Sequence, residues 1–124
     1  MLESLSSGRD QRRYPRVRPH PAKPVEVQLL GTNFLEVVSA ADISEAGIGI
    51  RLEHGVEGYD FDHLVEIVLT IPGQRPFVVR GRVRSKSMRG NHHVLGVQFT
   101  HLPVQDRRTI SQYVDRLLLV GRGC

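Results

Sequence analysis

The chain has 124 residues, of which 40% are hydrophobic and 24% charged, and this composition is typical of one globular domain. Its formal net charge of +4 favours anionic partners, such as a phosphate-bearing messenger, a nucleic acid or an acidic lipid surface. The single cysteine, Cys124, excludes an internal disulfide and a cysteine-based metal motif, and the lack of a long apolar run or signal-peptide core predicts a cytoplasmic protein.

The N-terminal region divides into a tail and an arginine-rich loop. Residues 1–11 are mainly serine, glycine and charged side chains with little to bury, so we expect a flexible tail. Five arginines fall within residues 9–18, where Pro15 favours extended backbone and predicts an ordered loop instead of a helix. A solvated charge run is the alternative interpretation of this loop.

Alternating apolar residues predict six strands. In the first, Val25, Val27 and Leu29 alternate with Glu26 and Gln28, which is typical of a strand with one buried face. The predicted strands span 25–29, 34–43, 46–52, 64–71, 77–84 and 92–99. Turns are expected at 31–33, 72–74 and 87–91, and a polar loop over 54–63.

The fifth strand carries a row of arginines. Arg80, Arg82 and Arg84 share one phase, and the small apolar residues Val79 and Val83 share the other. The arginines are therefore predicted on the outer face of the sheet. They form either an ordinary solvated face or a basic stripe for nucleic acid or for the far side of a bound anion.

Two histidine-containing segments are candidates for a metal site. His92 and His93 are neighbours on a strand and point to opposite faces, so they cannot jointly hold one ion. Asp60, Asp62 and His63 have no spacing that a known metal site requires, and we expect them to be solvated loop residues. The sequence therefore predicts no metal site.

Residues 103–120 predict a C-terminal helix. Pro103 suits the first turn, and Gly121 is expected to end the helix. Its apolar positions recur with helical spacing and form one stripe of Ile110, Tyr113, Val114, Leu117 and Leu118. Leu119 and Val120 widen this stripe beyond what a small barrel needs, which leaves a homodimer as an alternative.

These elements predict an all-β fold, in which residues 12–120 form a six-stranded antiparallel β-barrel with a C-terminal α-helix. No activated cysteine or serine, phosphate-binding loop or convergent carboxylate pair points to an enzyme. Membrane insertion is likewise not indicated.

One stretch combines an acid, a hydroxyl and a glycine between two predicted strands. Asp42 and Ser44 are two positions apart, so a continuing strand would direct both side chains to one side as a shallow polar platform, with Ile43 on the other. Gly47 permits a positive φ or the close approach of a backbone or planar group. Upstream, Arg12 and Arg16 can approach an anion from two directions, because guanidinium groups offer paired donors to phosphate and to guanine.

Arg12-x-x-x-Arg16 followed by Asp42-x-Ser44-x-x-Gly47 resembles the paired RxxxR and [D/N]xSxxG signature of the PilZ domain family. Residues 47–50, Gly-Ile-Gly-Ile, and 95–99, Leu-Gly-Val-Gln-Phe, are also similar to the family pattern, and the resemblance covers residues 11–118. Arg9-x-x-x-Arg13 fits RxxxR as well, but the following Pro-Arg-Val favours the later register. The family has a six-stranded barrel and binds the bacterial second messenger cyclic di-GMP.

The resemblance implies a role for each motif residue. Arg12 and Arg16 would hold phosphate and guanine edges, Asp42 and Ser44 would hydrogen-bond a guanine, and Gly47 would leave room for it. Further candidates for contact with one or two messenger molecules flank the first arginine and are Arg13, Gln11 and Arg9. No other cofactor is implied.

The expected mechanism is a switch. Like charges in residues 9–18 repel each other and few apolar side chains anchor the loop, so the messenger would order it and an unidentified effector protein would detect the change. Two alternatives remain. The first is a PilZ-type protein adaptor without ligand, and the second is a small basic barrel that binds single-stranded nucleic acid, for which the few aromatic residues offer little stacking surface.

Overall fold

A computed structural model describes residues 14–30, 35–53, 55 and 58–123, with backbone only for 121–123. The elements, in chain order, are β1 (Glu26–Leu30), β2 (Leu35–Ile43), β3 (Gly47–Leu52), β4 (Leu64–Thr70), β5 (Phe77–Arg89), β6 (His92–His101) and α1 (Val104–Gly123).

The six strands form a closed barrel in the order β1-β2-β3-β6-β5-β4, and every neighbouring pair is antiparallel. Pairing of β1 with β4, in which Leu29 lies opposite Ile67, closes the sheet on itself. Every strand therefore has a hydrogen-bonded neighbour on each side over part of its length. The predicted all-β fold, a six-stranded antiparallel barrel with one C-terminal helix, is confirmed.

The barrel interior is filled by the apolar residues that alternate along each strand. Its largest fully buried side chains include Leu29, Ile43, Ile48, Ile50, Leu52, Ile67, Leu69 and Leu95. Burying each such side chain stabilises the fold by about 1.5–3 kcal/mol. This rigid core positions the polar groups described below.

Helix α1 packs on this core through the predicted stripe. Ile110, Tyr113 and Val114 are buried, and Leu117 and Leu118 are partly buried against the same cluster. No helix among the residues that the structure describes is long and apolar enough to cross a membrane.

The bounds of α1 differ from the prediction at its C-terminal end. The helix continues through Gly121 to Gly123, so the expectation that Gly121 ends it is wrong. Glycine within a helix costs about 1 kcal/mol relative to alanine, but it ends a helix only where the chain adopts a left-handed turn. At the start, Arg107 donates its backbone N–H to the Pro103 carbonyl, so Pro103 precedes the first helical turn.

Strand β5 is longer than predicted, because it runs to Arg89 and the hairpin turn is only Gly90–Asn91. Gly90 has a φ of 60°, which suits glycine at a tight turn. Beyond Arg82 the strand pairs with β6 alone. Since this end of β5 has a neighbouring strand on one side only, its residues lack the apolar alternation from which the strand was predicted.

Candidate functional site

The β2–β3 hairpin is held by the Ser44 side chain. The Ser44 Oγ accepts hydrogen bonds from the backbone N–H groups of Ala46 (3.0 Å) and Gly47 (3.3 Å), and the Ser44 N–H donates to the Gly47 carbonyl (2.9 Å). Ser44 is 1% exposed. The expected open platform shared with Asp42 is therefore not present, because β2 ends at Ile43 and the hydroxyl then bonds to its own turn.

Gly47 is required by the packing of β3 on β6. A Cβ at this position would lie 2.5 Å from the Val97 carbonyl oxygen, which is much closer than any normal contact. Its φ is not positive. Of the reasons predicted for this glycine, the structure supports the close approach of another backbone.

Asp42 is a buried carboxylate that receives two arginines. Arg16 Nη1 lies 2.5 Å from Oδ1, and Arg89 Nη1 lies 2.7 Å from Oδ2, so each guanidinium takes a different carboxylate oxygen. The Asp42 side chain is 7% exposed, whereas those of Arg16 and Arg89 are 33% and 50% exposed. Paired, charge-assisted contacts of this kind compensate the cost of burying a carboxylate.

Two local features place Asp42 in this position. An irregularity in β2 between Ala40 and Asp42 shifts the register and sets Asp42 opposite Gly49. A Cβ on Gly49 would lie 2.9 Å from Asp42 Oδ1. The carboxylate therefore lies against the bare backbone of β3, and any larger residue at Gly49 would displace it.

Arg16 is brought to Asp42 by the residue that follows it. Val17 and Ile43 exchange two backbone hydrogen bonds of 3.0 and 2.9 Å, and Val17 is 8% exposed. Few apolar anchors were predicted for residues 9–18, and Val17 is one of them. The apolar side chain and the antiparallel bridge hold this part of the loop against the end of β2.

The two arginines determine the ionisation of the site. Burial raises the pKa of the Asp42 carboxyl, but the hydrogen bonds and positive charges of Arg89 and Arg16 outweigh it and hold the pKa below its ordinary value of 3.8. Asp42 is therefore ionised at neutral pH. The three side chains together carry one net positive charge.

The structure brings Arg16 and Asp42 together and places Ser44 and Gly47 in the adjoining turn. The predicted contacts Arg12, Arg13, Gln11 and Arg9 lie outside the described residues, as does the predicted tail over 1–11.

Sequence reasoning missed Arg89 and the role of Gly49. Arg89 lies 47 positions from Asp42 in the chain, and no spacing links the two. Gly49 stood within the Gly-Ile-Gly-Ile run, but its contact with Asp42 depends on the strand register. Only the pairing of β2 with β3 and the length of the β5–β6 hairpin reveal these residues.

The predicted arginine row of β5 does lie on the outer face, with Val79 and Val83 buried on the other phase. Each arginine there has a partner. Arg80 lies 3.4 Å from Glu66, Arg82 donates to the Asp62 carbonyl, and Arg84 pairs with the Asp62 carboxylate and with Gln98. These contacts favour an ordinary solvated face over a nucleic-acid stripe.

Asp62 thus serves as an arginine partner in its loop. Within the described part of the chain, no group of three histidine, cysteine, aspartate or glutamate side chains is arranged to hold a metal ion.

A cleft of ≈ 810 Å³ adjoins the Asp42 cluster. Arg16, Arg18 and Arg51 line it together with the apolar residues Leu117 and Leu118 of α1. Its size falls within the range of small-molecule sites. Because Arg16 lines the cleft and also contacts Asp42, its side chain lies between the cleft and the buried carboxylate.

The sequence matches the model of one protein family and one curated relative. A family model described as "PilZ domain" matches residues 10–116. An uncharacterized protein of Aquifex aeolicus (strain VF5) is 29% identical over 114 residues, which covers 84% of this chain and 50% of that protein. The chain therefore spans about half the length of this relative.

Solved structures share the fold. The c-di-GMP-bound PilZ domain of YcgR from Escherichia coli is 20% identical with a TM-score of 0.75, covering 91% of this chain and 95% of that one. The inhibitor of motility MotI/DgrA of Bacillus subtilis is 18% identical with a TM-score of 0.78, covering 90% and 53%. The MrkH–c-di-GMP complex of K. pneumonia is 16% identical with a TM-score of 0.75, covering 90% and 54%. At these identities the likeness concerns the fold.

Proposed function

Because the chain belongs to the PilZ domain family, we propose that it is a receptor that binds cyclic di-GMP reversibly without altering it. The observation that carries this proposal is the contact between the two halves of the signature. Arg16 of the first motif and Asp42 of the second are 26 positions apart in the chain, yet their charged groups lie 2.5 Å apart. Solved relatives such as the YcgR domain hold c-di-GMP on the same fold, which supports the assignment.

Binding is an exchange of partners at Asp42. The ionised carboxylate accepts hydrogen bonds only, and the Watson–Crick edge of a guanine carries N–H donors that can take the place of an arginine. The released Arg16 guanidinium then donates to a phosphate oxygen of the messenger. Each charged group has a partner before and after binding, so the exchange leaves no buried charge unpaired.

The remaining motif residues are assigned from the signature alone. Arg12 is the second phosphate ligand, and Arg13, Gln11 and Arg9 are further contacts with the messenger. Ser44 and Gly47 hold the turn that supports Asp42, and we propose that the Ser44 hydroxyl also contacts the guanine. The buried setting of Ser44 supports the first of these roles more strongly than the second.

Isothermal titration of cyclic di-GMP into the purified chain tests the proposal. We expect binding by the wild type, no binding of GTP, and a loss of about 10- to 100-fold in affinity for Arg16→Ala, since one charge-assisted contact is removed. Arg80→Ala is the matched control, because Arg80 contacts only the outer-face Glu66 in the described structure. If the wild type showed no heat and no thermal shift at high ligand, the ligand-free adaptor would be the better assignment.

The conformational response is a second part of the proposal. With Val17 and Ile43 already bridged, ordering on ligand binding is confined to the residues that precede Val17. Residues 17–21, which follow Arg16, line the cleft beside Leu117 and Leu118. A displaced Arg16 therefore changes a surface that an effector protein can contact.

Hydrogen exchange measured by mass spectrometry tests this response. On saturation with cyclic di-GMP we expect slower exchange in residues 9–16 and unchanged protection at Val17 and Ile43, which donate to each other's carbonyls without ligand. Equal exchange in residues 9–16 with and without ligand would reject the switch while leaving the binding function intact.

A further inference from the structure

Arg89 is the second guanidinium on Asp42, and it belongs to neither motif. Its Nη1 donates to Oδ2 at 2.7 Å, the oxygen that Arg16 leaves free. We propose that Arg89 is a third arginine of the messenger site, which Asp42 holds in place until a guanine takes the carboxylate and which then pairs with a phosphate. This inference rests on the proposed function.

Arg89 adds positive charge to the described part of the site. Arg16 and Asp42 by themselves sum to zero, and a neutral pair offers little attraction to a ligand with two phosphates. Arg89 raises the sum to one positive charge at the point where Asp42 is only 7% exposed. Electrostatic attraction is stronger there than at the open surface, because water screens it less.

The shape of the outer sheet face lets Arg89 reach Asp42. The chain positions Asp42, Gly49, Gly96 and Ser85 lie opposite one another across β2, β3, β6 and β5. Two of the four have no side chain, and the Asp42 carboxylate lies over Gly49 and the Ser85 hydroxyl over Gly96, so this row carries no bulky side chain. Arg89 extends across this region from the end of β5.

Arg89 is also free to change partners. Its side chain is 50% exposed, whereas the carboxylate that it contacts is nearly enclosed. When guanine N–H groups bind the carboxylate, the guanidinium is released beside the ligand with all its donors available. Its fixed fork of donors matches the geometry of phosphate oxygens.

Arg84 provides a matched comparison on the same strand. It also pairs with an aspartate, but that pair is open to solvent, with side-chain exposures of 52% for Arg84 and 66% for Asp62. Its contacts are Asp62 and Gln98, and none is with the Asp42 cluster. Removing Arg84 therefore changes the net charge of the protein as much as removing Arg89, without touching the site.

The test is isothermal titration of cyclic di-GMP into the full chain at low and high salt, with Arg89→Ala, Arg89→Lys and Arg84→Ala. We expect Arg89→Ala to bind about 10- to 100-fold more weakly, Arg89→Lys to recover part of the loss, and Arg84→Ala to stay within about twofold of wild type. The affinity of Arg89→Ala should also depend less on salt, because one charge facing the phosphates is gone.

The outcomes separate this inference from the function on which it rests. Binding by the wild type with equal or tighter binding by Arg89→Ala would overturn the role of Arg89 and leave the receptor assignment standing. A loss in Arg89→Ala with unchanged salt dependence and no recovery in Arg89→Lys would mean that Arg89 only supports the fold, which also overturns it. A wild type that binds no cyclic di-GMP would overturn the receptor function itself.

Discussion

At the scale of single residues, the site depends on one buried carboxylate whose two oxygens are shared between two arginines. The Asp42 carboxylate packs against the backbone of β3 because Gly49 has no side chain. It stays ionised because Arg16 and Arg89 lower its pKa. Removing the charge from Asp42 would leave two guanidinium groups facing each other without the group that holds them. The carboxylate therefore contributes both to the fold and to the proposed function.

Asp42→Asn should lower the free energy of unfolding by about 1–3 kcal/mol at about pH 7, a moderate value because both arginines are partly exposed. The folded-state pKa is below 3.8, so the charged carboxylate stabilises the fold above that pH and loses this effect as the pH falls below it. Urea unfolding measured from about pH 7 to below 3.8 should show that the difference in free energy of unfolding between wild type and Asp42→Asn becomes smaller as the pH falls.

Asp62→Asn is the control for this prediction, since its pair with Arg84 is exposed and should be worth less than about 0.5 kcal/mol. If the difference in free energy of unfolding between wild type and Asp42→Asn stayed constant at every acidic pH measured, the assigned pKa shift would be contradicted.

At the scale of elements, the β2–β3 hairpin uses glycines for two separate purposes. Gly47 lets β3 approach the carbonyl oxygen of Val97, which belongs to the backbone and cannot move aside. Gly49 makes room for the side chain of Asp42, which belongs to the proposed binding site. Substitutions at the two positions should therefore have different effects.

Gly47→Ala should destabilise the fold by about 2 kcal/mol or more, because its Cβ would meet backbone at 2.5 Å. Gly49→Ala should cost less stability, since the Asp42 carboxylate can shift, but it should weaken cyclic di-GMP binding. Urea unfolding and isothermal titration on both variants measure the two effects. The interpretation fails if Gly49→Ala is the less stable of the pair or binds ligand as wild type does.

At the scale of the whole molecule, the barrel and helix form one body with its site at the junction of loop, sheet and hairpin. The last turns of α1 lie beside the cleft that Arg16 lines. There Leu119 and Val120 are 67% and 59% exposed, although both are apolar. We propose that these residues support self-association of the chain, in line with the stripe that is wider than the barrel needs.

Sedimentation velocity should therefore detect a concentration-dependent dimer in the wild type that Leu119→Glu abolishes, because a buried carboxylate at the contact would have no partner. Val104→Glu is the control, as Val104 is 71% exposed at the opposite end of the helix. A wild type that stays monomeric at high concentration would exclude this contact.

The sequence by itself determined the barrel, the helix and two residues of the proposed site. Alternation of apolar residues identifies the buried faces because the strand period is two, and the inward residues of β1 and β4 lie where this rule puts them. The resemblance to the PilZ signature identified Arg16 and Asp42 as candidate residues of one binding site. The alternation and each motif lie within short stretches of the chain, so they can be recognised from the sequence alone.

Only the tertiary structure decided which other groups meet Asp42. Arg89 reaches it from a hairpin that extends beyond the barrel, and Gly49 faces it because an irregularity in β2 sets the register. The same structure assigned the Ser44 hydroxyl to its own turn, since β2 ends at Ile43 and does not continue through Ser44. Contacts between residues distant in the chain depend on strand order, register and length, and no local pattern encodes these.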